Sequence, residues 1–301
     1  MTQHAPRGGG GELPAGVRPR EEHGQNFLMT RDVLLRSCEY AELSREDAVL
    51  EVGPGIGNLT ALLAERAGSV CAIEIDRQFE PALSRLQARH ANLRLLWGDA
   101  LGLDFPPFSK FVSNLPYKPA LPLIMKLLEH DFKLAVVVIQ QRLARRLAAR
   151  PGQEGYSRIS VTLQRVASPR VLEVIKPHHF VPPPAVDSAM LRLRKTRPRF
   201  AVPSAEELRR LLDVLFLSRE RPVAAALGQL ADLDDLHDLR QATSGPAVAR
   251  VLAALPAELA CRRVALVTPE EFGLIARQVH ACGVAVPEVP DEIKRKAQKY
   301  F

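Results

Sequence analysis

The chain has few of the residues that staple a fold or anchor it. Of its 301 residues only four are cysteines: Cys38, Cys71, Cys261 and Cys282. None forms a Cys-x-x-Cys pair, which argues against a zinc site, and four scattered thiols do not make a disulfide scaffold. A reducing compartment follows. No stretch reaches the roughly 18 apolar residues of a membrane span. Residues 1–22 are rich in Gly, Pro and Arg and lack the apolar centre of a secretory signal. They read as a flexible basic tail, and the protein as cytoplasmic. No internal repeat is visible.

What is present is ordinary in bulk. Hydrophobic residues make up 47% and charged residues 25%, as in soluble globular proteins. The length suits one large domain, or a large one and a small one, with a sizeable core. The net charge of +7 and a pI near 9.5 favour a polyanionic partner. A basic protein without such a partner is the alternative on composition alone.

The patterning is more specific. Short apolar runs at 48–52, 70–75, 93–97, 110–113 and 134–139 read as strands. Helical spacing separates them, over 30–42, 58–67, 79–90, 121–130 and 140–150. A further helix is expected over 160–166, and strands over 171–175 and 189–193. Alternating strands and helices predict an α/β fold, a doubly wound parallel sheet with ligands at the carboxyl ends of the strands. After Arg199 the pattern turns wholly helical. Ser204 precedes Glu206 and Glu207, and Thr268-Pro-Glu-Glu begins like a capped helix. The expected organisation is a tail over 1–22, a sheet domain over 23–200 and a small α-helical domain over 201–301.

Three signals fall at three successive strand ends. Glu51-Val-Gly53-Pro-Gly55-Ile-Gly57 is a glycine-rich strand-to-helix turn that lets backbone approach a ligand closely. Its spacing is not that of the dinucleotide fingerprint, and such turns also occur without a ligand. Glu74 follows about 20 residues later, where a carboxylate accepts bonds from ribose hydroxyls. Asp76, beside it, reads as a helix cap. Asp99, in Gly98-Asp-Ala, is placed to accept from an adenine amino group, or to be a simple turn residue. In order, the three fit S-adenosylmethionine, which carries ribose and adenine but no phosphate.

Asn114-Leu115-Pro116-Tyr117 follows the fourth strand. The lone pair of adenine N6 is delocalised into its ring. An Asn oxygen and the Leu115 carbonyl accepting its hydrogens would pull N6 towards sp³ character. Pro116 stiffens the turn, and Tyr117 offers a face for stacking, worth about 1–3 kcal/mol per base. Transfer in line from a sulfonium then needs positioning more than a strong base. The bland reading is a turn built from turn-forming residues. Phe180, in His178-His179-Phe180-Val-Pro-Pro-Pro184, is a candidate for the other side of the base. The two histidines have no third ligand nearby in sequence, so no metal is expected.

Arg142, Arg145, Arg146 and Arg150 share a helical face by spacing and form a candidate phosphate-contacting stripe. Arg192, Arg194, Lys195, Arg197 and Arg199 make a second basic segment, and Lys294-Arg-Lys296 with Lys299 a third. Each of these runs is equally well a solvated face.

Together these residues resemble the rRNA adenine N6-dimethyltransferases and their relatives, the macrolide-resistance methyltransferases. The resemblance runs from Gly24-Gln-Asn26-Phe-Leu28 through the four motifs above to Phe180-x-Pro-Pro-Pro-x-Val-Asp-Ser188. Trp97-Gly-Asp-Ala-Leu and Asp131-Phe-Lys-Leu-Ala resemble archaeal members. The resemblance implies a Rossmann-like methyltransferase sheet. It implies that Asn26, Leu28, Gly53, Gly55, Glu74, Asp99 and Asn114 bind S-adenosylmethionine, and that Asn114, Leu115, Pro116, Tyr117 and Phe180 form the catalytic pocket. The implied substrate is a pair of adjacent adenines in the 3′-terminal hairpin of small-subunit rRNA, each methylated twice after leaving its stack. The partner would be the small ribosomal subunit or its precursor, with no stable protein partner, and the enzyme a monomer. Two segments depart from the family: Lys118-Pro119-Ala120-Leu121-Pro122 after Tyr117, and a less basic Leu217–Pro222. A large-subunit resistance enzyme, a DNA adenine methyltransferase and a non-catalytic ribosome-assembly factor are the competing readings. Thr268-Pro-Glu-Glu-Phe272 favours the small-subunit enzymes, and an intact Asn114–Tyr117 favours catalysis.

Overall fold

The computed structural model describes residues 13–14, 16–20, 24–234, 244–290 and 293. Most of the expected tail and the basic run at 294–299 lie outside them. Two compact units form. The first comprises residues up to Arg145 together with Ser168–Lys195; the second comprises Arg146–Ala167 together with residues from Thr196 on.

The first unit carries the sheet. Its elements are β1 (Phe27–Leu28), α1 (Arg31–Tyr40), β2 (Ala48–Val52), α2 (Asn58–Arg66), β3 (Ser69–Glu74), α3 (Glu80–Arg89), β4 (Leu93–Trp97), β5 (Lys110–Asn114), α4 (Ala120–Leu128) and β6 (Leu134–Gln140). After α5 (Gln141–Ala148) and α6 (Arg158–Val166) come β7 (Ala167–Ile175), β8 (Phe180–Val181) and β9 (Ser188–Lys195). Seven strands pair in the order β4-β3-β2-β5-β6-β9-β7. The pairs from β4 to β6 are parallel, and β9 runs antiparallel to β6. The expected parallel sheet is thus mixed at one side. The cause is legible in the chain: no helix intervenes between β7 and β9, so nothing carries the chain back for a parallel return. The strand order reverses at β2, which lies between β3 and β5, and that is where a crevice opens beyond the carboxyl ends.

The buried strands are apolar on both faces. β6, Leu134–Gln140, is buried at every position but its last, as a central strand covered on both sides requires. One residue breaks the pattern in β2. Glu51 is 1% exposed, and its Oε2 has no hydrogen-bond partner among the described residues. Burial pushes its carboxyl up to about 8, because a charge removed from water is disfavoured.

The second unit is helical. Its further helices are α7 (Ala205–Leu217), α8 (Val223–Asp234), α9 (Ser244–Ala254), α10 (Ala257–Cys261) and α11 (Pro269–Ala281). Ser204 caps α7 by accepting from the Glu207 N–H, and Thr268 with Glu271 forms a reciprocal cap on α11. Its core gathers Tyr156, Val161, Leu212, Val251 and Phe272, among others. The buried Tyr156 hydroxyl donates to the Val267 carbonyl at 2.9 Å. The sequence reading placed a single boundary at 200/201; the structure groups Arg146–Ala167 with the helices, because Tyr156 and the apolar face of α6 pack into this core.

Glu51 gives a measurable signature. Its folded-state pKa, near 8, lies above the ordinary value of about 4.3. Between those values the folded state holds a proton that the unfolded state has lost. Stability from this group therefore falls as pH rises through the window, by up to about 1.4 kcal/mol per unit, and levels off above it. Glu51→Gln is expected to be more stable than the parent at pH 8 and to show a flatter profile from pH 5 to 8. Urea unfolding across that range checks it; parallel profiles would count against a protonated Glu51.

Candidate active site

A cavity of about 370 Å³ opens at the carboxyl ends of the parallel strands. It lies at the reversal in strand order and falls within the size range of small-molecule sites. Four strand ends supply its walls: the turn after β2, the end of β3, the turn after β4 and the turn after β5.

The turn after β2 is held open by glycine. Gly53 and Gly55 have φ of +75° and +55°, in the left-handed region. A Cβ on Gly55 would meet the Phe27 ring at 2.8 Å. The Gly55 N–H donates to Glu74 Oε2 at 2.9 Å, and the Asp76 N–H donates to Glu74 Oε1 at 2.9 Å. Glu74 is therefore fixed in place by backbone N–H groups. Burial pushes its carboxyl up, against these backbone bonds. Asp76 caps the following 3-10 turn by accepting from the Gln78 N–H, as expected. It also accepts from the Gln25 amide at 3.0 Å. Burial opposes ionisation of Asp76, but Gln25, Gln78 and Arg20 outweigh it and hold its carboxyl below the usual range.

At the end of β4, Asp99 Oδ1 accepts from the Leu101 N–H at 2.9 Å, which closes a tight turn. At the end of β5, the Asn114 amide nitrogen donates to the Asn26 carbonyl at 2.9 Å. That bond fixes the amide plane. The Asn114 Oδ1 is buried and has no partner among the described residues. Tyr117 is half-buried, and its hydroxyl pairs with Ser188 on β9. Burial pushes its phenol up, against that bond.

The cavity brings together Asn26, Gly53, Gly55, Glu74, Asp99, Asn114, Leu115, Pro116 and Tyr117. Two expected residues lie elsewhere. Leu28 and Phe180 are 3% and 2% exposed and pair with each other across the small ribbon of β1 and β8. Phe180 packs in the sheet unit's core, not against the cavity. A two-residue strand has no periodicity to read, so the ribbon that withdraws Phe180 was invisible in the sequence.

Other lining residues were not anticipated. Ile75 and Leu101 are large apolar side chains, 49% and 39% exposed, and both line the cavity. Each stands beside an acid, Glu74 or Asp99, and that adjacency was the available signal. The charged residues of the lining are Glu74, Asp99 and Lys118. With carboxylates outnumbering cations, the cavity suits a ligand with a positive centre, an apolar flat group and hydroxyls.

The arginine stripe is only partly as expected. α5 ends at Ala148, so Arg150 lies beyond the helix. Its N–H donates to Gln153 Oε1 at 2.8 Å, which closes a turn and takes it off the helical face. Arg142 and Arg145 are exposed and Arg146 is half-buried. None of the four lines the cavity. The His178 and His179 rings lie tilted to each other with centres 4.1 Å apart, and His179 Nδ1 lies 2.9 Å from Thr30 Oγ1. Among the described residues no three His, Cys, Asp or Glu side chains form a metal-binding group, and no helix is long and apolar enough to cross a membrane.

With the geometry known, comparison with other proteins is informative. The family model for ribosomal RNA adenine dimethylase matches residues 16–261. A protein of Methanothermobacter thermautotrophicus, named probable ribosomal RNA small subunit methyltransferase A, is 40% identical over 265 residues, 88% of this chain and 92% of that one. A protein of the same name from Pyrococcus furiosus is 36% identical over 84% of this chain and 89% of its own. Among solved structures, a dimethyladenosine transferase from Plasmodium falciparum superposes with a TM-score of 0.73 at 25% identity, covering 87% of this chain and all (100%) of that one. The 23S rRNA methyltransferase ErmE gives 0.62 at 28% identity, over 85% of this chain and 100% of its own.

Gly55→Ala tests the turn directly. A side chain there meets the Phe27 ring and a left-handed backbone, which costs about 1–3 kcal/mol. The urea midpoint is expected to fall accordingly, whereas Gly102→Ala, whose nearest added contact is 3.7 Å away, is expected to leave it almost unchanged.

Proposed function

The chain belongs to the ribosomal RNA adenine dimethylase family, and on that premise we propose that it transfers methyl groups from S-adenosylmethionine to N6 of two adjacent adenines in the 3′-terminal hairpin of small-subunit rRNA. One observation carries the chemistry. Asn114 presents a buried acceptor, Oδ1, that none of the described residues satisfies, on the wall of the cavity. An unpaired buried acceptor costs about 1–3 kcal/mol, so the site is built for a donor that arrives with a ligand.

The residues present fit the cofactor. Glu74, on the cavity wall, would accept from the ribose hydroxyls. Asp99 uses Oδ1 on its own turn and offers Oδ2 to the adenine amino group. Ile75 and Leu101 supply apolar contact for the adenine ring. Gly53 and Gly55 leave room for the chain that bears the sulfonium, and the surplus of carboxylates favours its charge. The cofactor supplies an electrophilic methyl group.

The substrate base lies against Tyr117, which the Ser188 hydroxyl holds from behind. Asn114 Oδ1 and the Leu115 carbonyl accept the two N6 hydrogens. This withdraws the N6 lone pair from the ring and aims it at the methyl group. With the cofactor bound, N6 would take the methyl group that it supplies, the C–S bonding pair remaining on sulfur. The proton then on N6 is acidic and leaves to water, so Asn114 need not act as a base. Among the stripe, Arg142, Arg145 and Arg146 on α5 are the phosphate contacts we assign to the RNA. The enzyme works as a monomer in the cytoplasm on the small subunit or its precursor.

The likeness to ErmE favours one second reading, methylation of large-subunit rRNA. The names of the archaeal relatives favour the small subunit. The two are separated by offering labelled S-adenosylmethionine with unmethylated small subunits, with large subunits and with duplex DNA, and analysing the nucleosides. Dimethyladenosine confined to small-subunit RNA is the expected result; label in the large subunit would establish the second reading. In the same assay Asn114→Ala is expected to lower kcat about 10²–10³-fold, the usual cost of removing one aimed polar group. Cofactor affinity measured by calorimetry is expected to change far less. Equal product from both proteins would remove Asn114 from the chemistry.

A further inference from the structure

Lys126 is unusual among the lysines near the cavity. It sits in the second half of α4, the helix that begins three residues after Tyr117. Its ammonium has three N–H donors, and its hydrogen bonds go to backbone carbonyls of one loop. It donates to the Ala100 carbonyl at 2.9 Å, to Leu101 at 3.1 Å, and to Leu103. It also lies 4.5 Å from the centre of the Phe105 ring, a cation–π contact. Among the described residues no carboxylate pairs with it.

The loop so held is the one that carries Asp99. Its N–H groups fold back on that residue: the Leu101 N–H reaches Asp99 Oδ1, and the Gly102 and Leu103 N–H groups both reach the Asp99 carbonyl at 3.0 Å. This is a hydrogen-bonded turn closed at its start by Asp99. The carbonyls of Ala100, Leu101 and Leu103 all accept from the one Lys126 ammonium.

We propose that Lys126 is a positioning residue that holds the Asp99–Leu103 turn against the cavity and so sets selectivity for the adenine of the cofactor. The assignment rests on the reading of Asp99 as the acceptor of the adenine amino group. α4 thereby joins two parts of the site. Its start follows the base-binding Asn114–Tyr117 turn, and its Lys126 fixes the cofactor-binding turn.

The test compares Lys126→Met, Lys126→Arg and Asp99→Asn with the parent, in the full chain. Hydrogen exchange over residues 99–105 is read first. Removing charge-assisted bonds worth about 1.5–3 kcal/mol is expected to speed exchange there at least tenfold in Lys126→Met, with the core strand β6 unchanged. Affinity is then measured for S-adenosylmethionine and for S-inosylmethionine, in which a ring carbonyl replaces the amino group. The parent is expected to prefer the adenosyl form. Lys126→Met is expected to narrow that preference about tenfold, a factor worth about 1.4 kcal/mol, with kcat at saturating cofactor within about twofold. Lys126→Arg, which keeps the cation and its donors, is expected to restore most of the preference. Unchanged exchange overturns the assignment whatever Asp99 does. Faster exchange with equal weakening of both cofactors, while Asp99→Asn narrows the preference, also overturns it, because Lys126 is then merely structural. If Asp99→Asn leaves the preference intact, the reading of Asp99 fails, and the selectivity role falls with it.

Discussion

The hydrogen bond from the Gly55 N–H to Glu74 Oε2, 2.9 Å long, is the contact on which the geometry of the site turns. It joins the glycine turn after β2 to the end of β3. It exists only because Gly55 adopts a φ of +55° with the Phe27 ring pressed against its Cα. A carboxylate with 4% exposure is costly in itself, and here two backbone N–H groups offset the cost and fix its direction. The carboxylate is thus held on the cavity wall without any search for a rotamer. The same economy recurs at each strand end. Asp76 is fixed by Gln25 and Gln78, Asp99 by its own turn, and Asn114 by the Asn26 carbonyl. Each polar side chain spends part of its bonding on its own orientation; Glu74, Asp99 and Asn114 line the cavity, while Asp76 stays a cap outside it.

Much of this was legible in the chain because the sheet enforces it. Parallel strands buried on both faces leave continuous apolar runs, and the strand at 93–97 was placed residue for residue. The caps at Ser204 and Thr268 were readable because their chemistry is local, an oxygen facing an N–H three residues on. The acids at 74 and 99 were readable because strand ends are where such sheets bind. What was not legible depends on partners distant in sequence. Phe180 reads as a pocket residue until it is seen to pair with Leu28, more than 150 residues away. Arg150 reads as the end of a stripe until its N–H is seen to close a turn on Gln153. The transfer of α6 to the helical unit depends on Tyr156 reaching Val267, which no period announces.

The segment after Tyr117 is where the chain departs most from the pattern it resembles, and the structure shows what the departure does. Pro119 occupies the position before α4, and its carbonyl accepts the Leu123 N–H at 2.9 Å. Ala120 is buried at the first helical position, and Pro122 lies within the first turn, where a missing N–H costs nothing. The Pro-rich run therefore starts the helix rather than breaking it. Pro119, Pro122 and Lys118 all line the cavity. Two rigid rings and a cation therefore stand in the cavity wall, which stiffens it.

Selectivity for an amino-bearing base follows from the same accounting, on the function proposed above. Asn114 Oδ1 and the Leu115 carbonyl are both acceptors, and the Leu115 N–H is already given to Val138 at 3.1 Å. A base whose ring edge carries a carbonyl at the equivalent position would bring acceptor against acceptor and leave Asn114 Oδ1 unpaired. A site built around buried polar groups rejects ligands lacking the complementary group far more strongly than an apolar pocket rejects a misfit. The Asn114 amide cannot turn over to present its nitrogen instead without giving up its bond to the Asn26 carbonyl. The anchoring of Asn114 by Asn26 thus does two things at once. It holds the acceptor at the angle the reaction needs, and it prevents the side chain from adapting to the wrong base. Rigidity of one amide, set by a residue 88 positions earlier in the chain, links the opening motif to the choice of substrate.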